Sequence, residues 1–313
     1  MVALRLFDLH CDTLYMCQKD KLDFKINNLQ VSLEKGLKYH PWVQLFAIWV
    51  PDELRKQKAV DHFNNCYYYF LEQIDKHSDI IVQCKKFDDI QNAIKNNKCA
   101  AILSVEGAAA AGGKLEGFEH MADCGVKMIT LTWNGPNELG DGILSKNGMG
   151  LSSFGLESVK QMEQLNITVD VSHLSEKGFY DVVSVAKRPF AATHSNSKYI
   201  CNNVRNLTDN QFKEIIKHDG IVGINFYPQF VNNTSDCTYK DIKRHIDHYI
   251  SLKGENNISI GADFDGADMP SCITGIEDVS KLYDYLIDWG YSEELTDKIM
   301  FKNAYEFVKR NFI

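Results

Sequence analysis

The sequence predicts a (β/α)8 barrel of parallel strands, a TIM barrel, and three observations support this prediction. Eight short apolar runs alternate along the chain with longer amphipathic segments. The runs are almost continuously apolar, which is typical of parallel strands buried on both faces. Seven of them carry His, Asp, Glu, Asn or Tyr at their C-terminal ends. In a closed barrel these ends converge on one mouth, where active sites lie, so we favour the barrel over the competing doubly wound open sheet.

The eight predicted strands cover residues 4–10, 42–50, 99–107, 126–134, 167–173, 189–195, 220–227 and 258–266. Helical spacing of apolar residues predicts helices over 62–77, 152–166, 175–187, 208–220 and 239–254. Several of these segments open with Ser or Thr, which can cap a helix N-terminus. The Gly-rich stretch 134–155 lacks a phosphate-binding motif and is predicted to be a long loop over the mouth. One barrel can use the whole length, so we expect a single domain over residues 1–313.

Composition excludes several classes of partner. The formal net charge is −8, and an acidic surface repels phosphate backbones, so we expect no nucleic acid. No apolar run reaches the ~18 residues that span a bilayer, so we expect no membrane interaction. The N-terminal segment turns polar too early for a secretory signal, and nine scattered cysteines without a CxxC pair are typical of reduced thiols. We therefore expect a cytoplasmic location.

The end of the first predicted strand offers two metal-binding side chains. In the extended segment DLHCD, alternate side chains share a face, so His10 and Asp12 point together while Cys11 points away. An imidazole and a carboxylate placed in this way can bind one metal ion. Such triplets also arise by chance, and the alternative is a strand end whose polar residues face solvent.

Three further ligand candidates end other predicted strands. Glu106 follows an apolar run, where an unpaired carboxylate is costly to bury, and a carboxylate can bridge two cations. His173 and His194 end the fifth and sixth predicted strands. Taken singly, each His could be a hydrogen-bonded core residue and Glu106 a partly exposed turn residue. Together with His10 and Asp12 at the same end of one barrel, they favour a metal site.

The last predicted strand ends in two carboxylates, Asp263 and Asp265. A carboxylate at Asp263 could take a proton from a metal-bound water, whose pKa the metal lowers toward neutrality. Asp265 is expected in the following loop, and a loop-capping turn is the alternative for either residue. His245 and His248 are spaced for one face of a helix and are interpreted as ordinary surface residues.

Seven segments together resemble the membrane dipeptidase (renal dipeptidase) family, peptidase family M19, of the metal-dependent amidohydrolase type. They are DLHCDT, SVEGA, LTWNGPNELGDG, VDVSH, THSNSKYICNNVRNLTD, INFY and GADFDG, in the family's order from residue 8 to residue 266. The resemblance implies a binuclear site for two Zn²⁺ or other divalent ions. In that site His10 and Asp12 bind one ion, His173 and His194 bind the other, and Glu106 bridges them.

The resemblance also implies roles toward a substrate. Arg205 matches the family arginine that contacts the substrate carboxylate, Tyr227 matches a tyrosine lining the pocket, and Asp263 matches the carboxylate that handles the proton. Trp133 is a departure, because mammalian-type members have a substrate-contacting His there and an indole cannot carry a proton. The lipid anchor and secretion of mammalian members do not carry over, whereas a homodimer is compatible with the resemblance.

The resemblance thus predicts a zinc-dependent dipeptidase that hydrolyses dipeptides by a metal-bridging hydroxide, with Glu106 and Asp263 as its catalytic carboxylates. Two alternatives stay open. One is a related binuclear metal amidohydrolase acting on another small amide, a lactone or a β-lactam, which Trp133 keeps in view. The other is a catalytically idle barrel that acts as a binding protein, which the intact ligand set argues against.

Overall fold

Nine parallel strands form one sheet in the computed structural model, which describes residues 4–146 and 148–312. In chain order they are β1 (Leu6–Cys11), β2 (Trp42–Trp49), β3 (Ile81–Gln83), β4 (Cys99–Glu106), β5 (Val126–Thr130), β6 (Thr168–Asp170), β7 (Ala191–Ala192), β8 (Ile221–Ile224) and β9 (Ile258–Ile260). Eight of them close a ring in the order β1-β2-β4-β5-β6-β7-β8-β9, with β9 paired back to β1. The predicted (β/α)8 barrel is therefore confirmed.

The additional strand is β3, which the sequence interpretation missed. It pairs with the first three residues of β4, while β5 pairs with the second half of β4 along the same edge. Each of the eight predicted strands overlaps one observed strand, and most of the predicted ranges are too long. Every residue of β1 and of β4 is buried, as expected for strands covered on both faces.

Thirteen α-helices surround the strands within the described residues. They are α1 (Thr13–Asp20), α2 (Leu33–Gly36), α3 (Gln57–Lys76), α4 (Phe87–Lys95), α5 (Leu115–Asp123), α6 (Ser153–Gln164), α7 (Glu176–Val185), α8 (Asp209–Lys217), α9 (Pro228–Val231), α10 (Tyr239–Ser251), α11 (Val279–Asp288), α12 (Glu293–Asp297) and α13 (Asn303–Asn311). The five predicted helices coincide with α3, α6, α7, α8 and α10. None of the thirteen is both long enough and apolar enough to cross a membrane.

Hydroxyl side chains cap the N-termini of three of the predicted helices, as expected. Ser152, Ser175 and Thr208 each accept a hydrogen bond from the backbone N–H three residues further on, at the start of α6, α7 and α8. Each cap satisfies a backbone donor that has no partner within the helix. These caps fix where the helices begin and hence how long the preceding loops at the barrel mouth are.

His245 contradicts its interpretation as a surface residue. It lies on the buried face of α10 beside Ile242, Ile246 and Tyr249. Its Nε2 lies 2.8 Å from the carbonyl oxygen of Val231, and its Nδ1 accepts a hydrogen bond of 3.1 Å from the backbone N–H of Ser197. The second bond requires the neutral ring, because Nδ1 must carry a lone pair to accept it, while Nε2–H donates to Val231. His248 is half-buried, stacked at 4.5 Å on the exposed ring of Tyr199.

We expect His245 to make the fold sensitive to acid. Burial lowers the pKa of His245 to about 4, whereas an unfolded His titrates near pH 6.5. The neutral ring therefore contributes its full stability above pH 6.5 and loses it as the pH falls toward 4. The free energy of unfolding, measured with urea, should fall by about 3 kcal/mol over that interval because of this group.

The matched comparison is between His245→Asn and His120→Asn. His120 is exposed on α5, so its replacement should leave the acid-induced loss of stability as in the wild type. His245→Asn should lower stability at pH 7 and flatten its dependence on pH. Equal pH dependence in the two variants would contradict the assignment.

Candidate metal centre

The ends of β1, β4, β6 and β7 bring all five predicted metal ligands together at one mouth of the barrel. Glu106 ends β4 and lies in the middle of the group. Its Oε1 is 2.8 Å from Nε2 of His173 and 3.5 Å from Nε2 of His194, and its Oε2 is 3.8 Å from Nε2 of His10. Asp12 Oδ2 lies 3.3 Å from the same His10 nitrogen. All five side chains are buried, so Glu106 is not the partly exposed turn residue of the alternative interpretation.

Hydrogen bonds on the far side of two rings determine which nitrogen faces the cluster with a lone pair. His173 Nδ1 donates to Oδ1 of Asn134 at 2.8 Å, so Nε2 is unprotonated in the neutral ring. Thr193 Oγ1 donates to Asp170, which leaves it to accept from Nδ1 of His194 at 2.9 Å. The two Nε2 atoms then face each other at 2.9 Å with lone pairs on both. Two lone pairs repel at that distance, and a cation beside them removes the repulsion.

Burial, followed by nearby cationic side chains, lowers the pKa of His173 and of His194 well below the usual range. Neutral imidazole is the form that binds metal ions. Glu106 differs, because burial first and then Asp12 raise its pKa well above its usual range. A divalent cation would compensate this buried charge.

The distances around His10 also suit a shared ion. Within the described residues, two groups of three side chains have ligand atoms within 4.8 Å of one another: His10 with Glu106 and His194, and His10 with Asp12 and Asp263. A tetrahedral ion with bonds of about 2.1 Å separates its ligand atoms by about 3.4 Å. The separations of 3.3 Å from His10 to Asp12 and 3.5 Å from His194 to Glu106 agree with that value. In the described part of the chain, Asp12 Oδ1 is buried without a hydrogen-bond partner, as expected of an oxygen that coordinates a cation.

Three polar residues, of which Asp8 and Asp170 are buried and Asn134 is half-buried, hold the ligands in place, and the sequence interpretation assigned none of them a role. Asp170 accepts from the hydroxyl groups of Thr130 and Thr193 and from two backbone N–H groups. Asp8 accepts from the backbone of His10 and of Ala262 and from the side chain of Gln44. Asn134 orients His173, as described above. The available signal was a carboxylate at positions 8 and 170 inside runs predicted to be wholly buried, because a buried carboxylate needs partners.

The backbone is unusual at two residues of the site. His173 has a φ of 65° and Asp263 has a φ of 66°, a left-handed conformation that is uncommon for residues with a Cβ and clusters at functional sites. Gly266 is required for another reason. A Cβ there would lie 2.1 Å from Oδ2 of Asp12 and 2.7 Å from Oδ1 of Asp263, so a larger residue would push both carboxylates away.

Asp263 follows β9 and touches the same cluster. Its Oδ1 is 3.8 Å from Nε2 of His10, and its Oδ2 accepts a hydrogen bond of 2.9 Å from the side chain of Asn225. Burial raises the pKa of Asp263 to about 6, although His10 opposes the shift. Asn225 Oδ1 also accepts a hydrogen bond of 2.7 Å from the backbone N–H of Tyr227. It was not predicted, although it lies in the INFY segment that indicated Tyr227.

Asp265 has a structural role in the following loop. Its carboxylate accepts hydrogen bonds from the Thr13 hydroxyl at 2.5 Å and from the backbone N–H groups of Gln30 and Val31 at 2.7 and 3.3 Å. Asp265 thus joins the loop after β9 to the loop after α1. This agrees with the expectation that Asp265 lies beyond the strand, and with the loop-capping alternative for it.

A cavity of about 780 Å³ opens over the cluster, which is within the usual range for small-molecule sites. Its lining includes Asp12, Glu106, His173, Asp263, Trp133 and Tyr227. A long irregular segment connects β5 to α6 and contributes Trp133 and Asn134 to the lining; it contains most of the loop predicted over residues 134–155. The cavity therefore exposes three of the five predicted ligands, Asp12, Glu106 and His173, to a small substrate.

Arg205 lies beside the cluster but not in the lining of this cavity. It is buried against a second pocket of about 30 Å³, which His173 also borders. Its Nη2 lies 3.5 Å from the carbonyl oxygen of His194, and its guanidinium is 5.2 Å from the centre of the Phe230 ring. Among the described residues its Nε has no hydrogen-bond partner. Burial lowers the pKa of Arg205 to about 10, and Asp263 and Glu106 favour its charged form.

Three aromatic rings form one wall of the cavity. Trp133 meets Trp49 edge to face at 5.0 Å, and Trp49 meets Tyr15 edge to face at 4.9 Å. Trp133 also lies 6.3 Å from the ring of His173. Tyr227 and Phe230 pack edge to face at 4.9 Å and also line the cavity. Neither Trp49 nor Tyr15 was predicted from the sequence.

Buried histidines and carboxylates at the C-terminal mouth of a (β/α)8 barrel define a metal-dependent hydrolase. The family model of the membrane dipeptidases (peptidase family M19) matches residues 1–310. The chain belongs to this family and is a metallopeptidase, which confirms the resemblance. The family implies a metal cofactor.

Individual relatives agree with this assignment. A Klebsiella pneumoniae protein encoded in the pqqA 5′ region is 32% identical over 250 residues, which are 76% of this chain and 92% of that protein. Dipeptidase tcpJ of Claviceps purpurea is 29% identical over 75% of this chain, and the match spans 56% of that longer protein.

Two solved structures are similar over the whole chain. The crystal structure of a Rhodobacter sphaeroides metallopeptidase with a phosphinate mimic of the dipeptide L-Ala-D-Ala has a TM-score of 0.93 and 25% identity, with 99% of both chains covered. The dipeptidase AC of family M19 has a TM-score of 0.93 and 26% identity, also with 99% of both chains covered.

Proposed function

We propose that the protein is a zinc-dependent dipeptidase with two metal ions at the barrel mouth. The observation that carries this proposal is the buried cluster of three histidines and two carboxylates that opens into a cavity of about 780 Å³. The Rhodobacter sphaeroides relative, which binds a dipeptide mimic, supports a substrate of dipeptide size. His10 and Asp12 would hold one ion, His173 and His194 the other, and Glu106 would bridge them.

Zn²⁺ suits this donor set, because histidine nitrogens and carboxylate oxygens are its common ligands. A pair of such ions would supply a hydroxide nucleophile at neutral pH and polarise the scissile carbonyl. Asp170, Asp8 and Asn134 keep the ligands oriented through the hydrogen bonds described above. This buried network places the ligands before substrate arrives.

Asp263 would carry the proton from the nucleophile to the leaving amine. It lies 3.8 Å from His10 and lines the cavity, so it borders both the predicted site of an ion and the substrate space. Asn225 holds one of its carboxylate oxygens and leaves the other directed toward the cluster. A carboxylate in this position can accept a proton and then donate it to the amine nitrogen.

Arg205 would bind the C-terminal carboxylate of the dipeptide. Its Nε is buried without a partner in the described structure, so a donor is available for an anion. Because the guanidinium lies beside the cavity rather than in its lining, it must reach past His173 or Phe230 to contact a substrate. A carboxylate bound there would limit the substrate to one residue beyond the scissile bond.

Arg205→Lys should lower kcat/KM for dipeptides by about tenfold or more, because a point charge cannot replace a fork of two parallel hydrogen bonds. The loss should be much smaller for dipeptide amides, which lack the C-terminal carboxylate. Steady-state kinetics on matched pairs of dipeptide and dipeptide amide measure the difference. An equal loss on both substrates would remove Arg205 from this role.

The aromatic wall of Tyr15, Trp49 and Trp133 would face the N-terminal residue of the dipeptide. Edge-to-face rings offer a large apolar surface, so we expect apolar N-terminal side chains to be preferred over charged ones. Trp133 also favours a second candidate function, which is hydrolysis of another small amide, a lactone or a β-lactam. The reason is that the Trp133 indole can only donate a hydrogen bond, whereas the His that mammalian-type members have at this position can also carry a proton.

A substrate screen with the zinc-loaded protein separates these functions. The panel contains L-Ala-D-Ala, L-L dipeptides with apolar or charged N-terminal residues, N-acyl amino acids, lactones and a β-lactam. The proposal predicts the highest kcat/KM on dipeptides. Higher turnover of another class would establish the second candidate, and no hydrolysis of any of them with metal bound would indicate a binding protein.

A further inference from the structure

Two cysteines outside the metal centre lie side by side in neighbouring loops. Cys237 immediately precedes the capping residue of α10, and Cys272 lies in the loop after β9. The Cys272 thiol donates a hydrogen bond of 3.3 Å to the carbonyl oxygen of Cys237, which puts the two residues in contact. All nine cysteines lie within the described residues, and Cys272 alone is partly exposed while the other eight are buried. The pair therefore combines an accessible thiol with a buried neighbour.

Hydrogen bonds on both sides keep the two loops paired at this point. Asp236 accepts from the backbone N–H of Ser271 at 2.8 Å and from its hydroxyl group at 2.7 Å. The hydroxyl group of Tyr239 donates to the carbonyl oxygen of Cys272 at 2.5 Å. These bonds hold the two loops together on each side of the cysteines, so Cys237 and Cys272 stay in contact.

Both loops carry walls of the substrate cavity. The loop that contains Cys272 follows β9 and contributes Asp263 and residues 265–268 to the lining. The segment that leads to Cys237 follows the neighbouring strand β8 and contributes Tyr227 and Phe230 to the same lining. A covalent link between residues 237 and 272 would join these two parts of the cavity wall without involving any of the predicted ligands.

We propose that Cys237 and Cys272 are a modification site, at which a small-molecule disulfide such as glutathione disulfide oxidises them to a reversible disulfide that ties the two walls together. Interaction with the Cys237 thiol lowers the pKa of Cys272, and an accessible thiol of lowered pKa reacts first.

The exchange proceeds in two balanced steps. The Cys272 thiolate attacks glutathione disulfide, which forms a mixed disulfide and releases one glutathione thiolate. Cys237 then gives its proton to that thiolate and attacks the Sγ of Cys272, which releases the second glutathione. Two protein thiols are oxidised, and one glutathione disulfide is reduced to two glutathione thiols.

The test uses the full-length, metal-loaded protein incubated with glutathione disulfide and then digested without reduction. We expect a linked peptide pair containing residues 237 and 272, loss of two of the nine free thiols, and full reversal by dithiothreitol. Cys237→Ser should instead trap one glutathione on Cys272, and Cys272→Ser should take up none. The matched control is Cys201→Ser, a buried cysteine of another loop, which should still form the link.

Two results would overturn the proposal. One is wild-type protein that accumulates glutathione on Cys272 without forming the link, or that links another pair of cysteines. The other is a linked protein whose melting temperature and kinetics equal those of the reduced protein, because closing a long loop should raise the melting temperature. Neither peptide mapping nor the melting temperature depends on hydrolysis, so failure here is distinguishable from failure of the proposed dipeptidase function.

Discussion

His194→Ala is expected to lose one of two bound ions and nearly all hydrolysis. His194 is fully buried, its Nε2 is 3.5 Å from Glu106, and its other nitrogen is held by Thr193. Removal of the ring takes away a predicted ligand from the cluster. Because metal ions supply several kcal/mol of transition-state stabilisation, we expect kcat/KM to fall by about 10³-fold or more. Elemental analysis of the purified protein and steady-state kinetics measure the two effects.

The control for this variant is His218→Ala. His218 caps the end of α8 and bonds to a backbone carbonyl oxygen of the same helix, so its loss should leave metal content and kcat/KM close to the wild type. A His194→Ala protein with two ions and wild-type activity would show that His194 is not a ligand. Loss of metal in both variants would indicate a general effect on folding.

Asp263→Asn is expected to keep the metals and lose catalysis. Asparagine has the size of aspartate and keeps a polar contact with Asn225, but it cannot accept a proton. We therefore expect close to two bound ions, a nearly unchanged dipeptide affinity and a kcat lower by about 10²-fold or more. The carboxylate works as a base only when ionised, so wild-type activity should fall as the pH drops through the pKa of Asp263. That pKa is raised to about 6 in the absence of cations, and bound cations would lower it.

The control variant Asp265→Asn distinguishes a role in proton transfer from a role in holding the loop. Asp265 has the same kind of side chain two residues further on, and burial raises its pKa to about 6 as well, but its carboxylate is occupied by Thr13 and two backbone N–H groups. Its replacement should lower the melting temperature and leave kcat close to that of the wild type. Loss of an ion from Asp263→Asn would identify Asp263 as a ligand. An unchanged kcat in Asp263→Asn, with a large fall in Asp265→Asn, would move the proton-transfer role to Asp265.

The barrel could be predicted because its strands are buried on both faces and its polar residues gather at strand ends. The C-terminal ends of the strands could not be predicted, because near the mouth backbone N–H groups bond to side chains instead of to the neighbouring strand. β7 ends at Ala192, because the N–H groups of Thr193 and His194 bond to Asp170 and Ser172 instead of a neighbouring strand. β3 was missed because three residues carry too little periodicity to be recognised.

Clustering of the candidate ligands could be predicted where a residue's position along the chain determines its position in space. Strand-end residues such as His10 and Glu106 must meet in a closed barrel. Trp49 and Tyr15 form their wall only through packing between β2, α1 and the loop after β5, which no local pattern indicates. The interpretation of His245 as a surface residue was wrong because its position on α10 fits either face of the helix. The apolar neighbours Ile242 and Ile246 were the available signal for burial.

Several expectations stay predictions. They are the single domain over residues 1–313, the cytoplasmic location, the homodimer, and the lack of nucleic-acid and membrane partners. The individual ligand and substrate roles also stay predictions until the variants above are measured.

Zinc titration of the metal-free protein, with hydrolysis of L-Ala-D-Ala followed at each addition, tests the central proposal most directly. A binuclear centre built from His10, Asp12, Glu106, His173 and His194 predicts no hydrolysis without metal and full activity after two equivalents of zinc. It also predicts that the titration ends at fewer equivalents in His194→Ala. Full hydrolysis by the metal-free protein, or bound zinc without hydrolysis of any dipeptide, would contradict it.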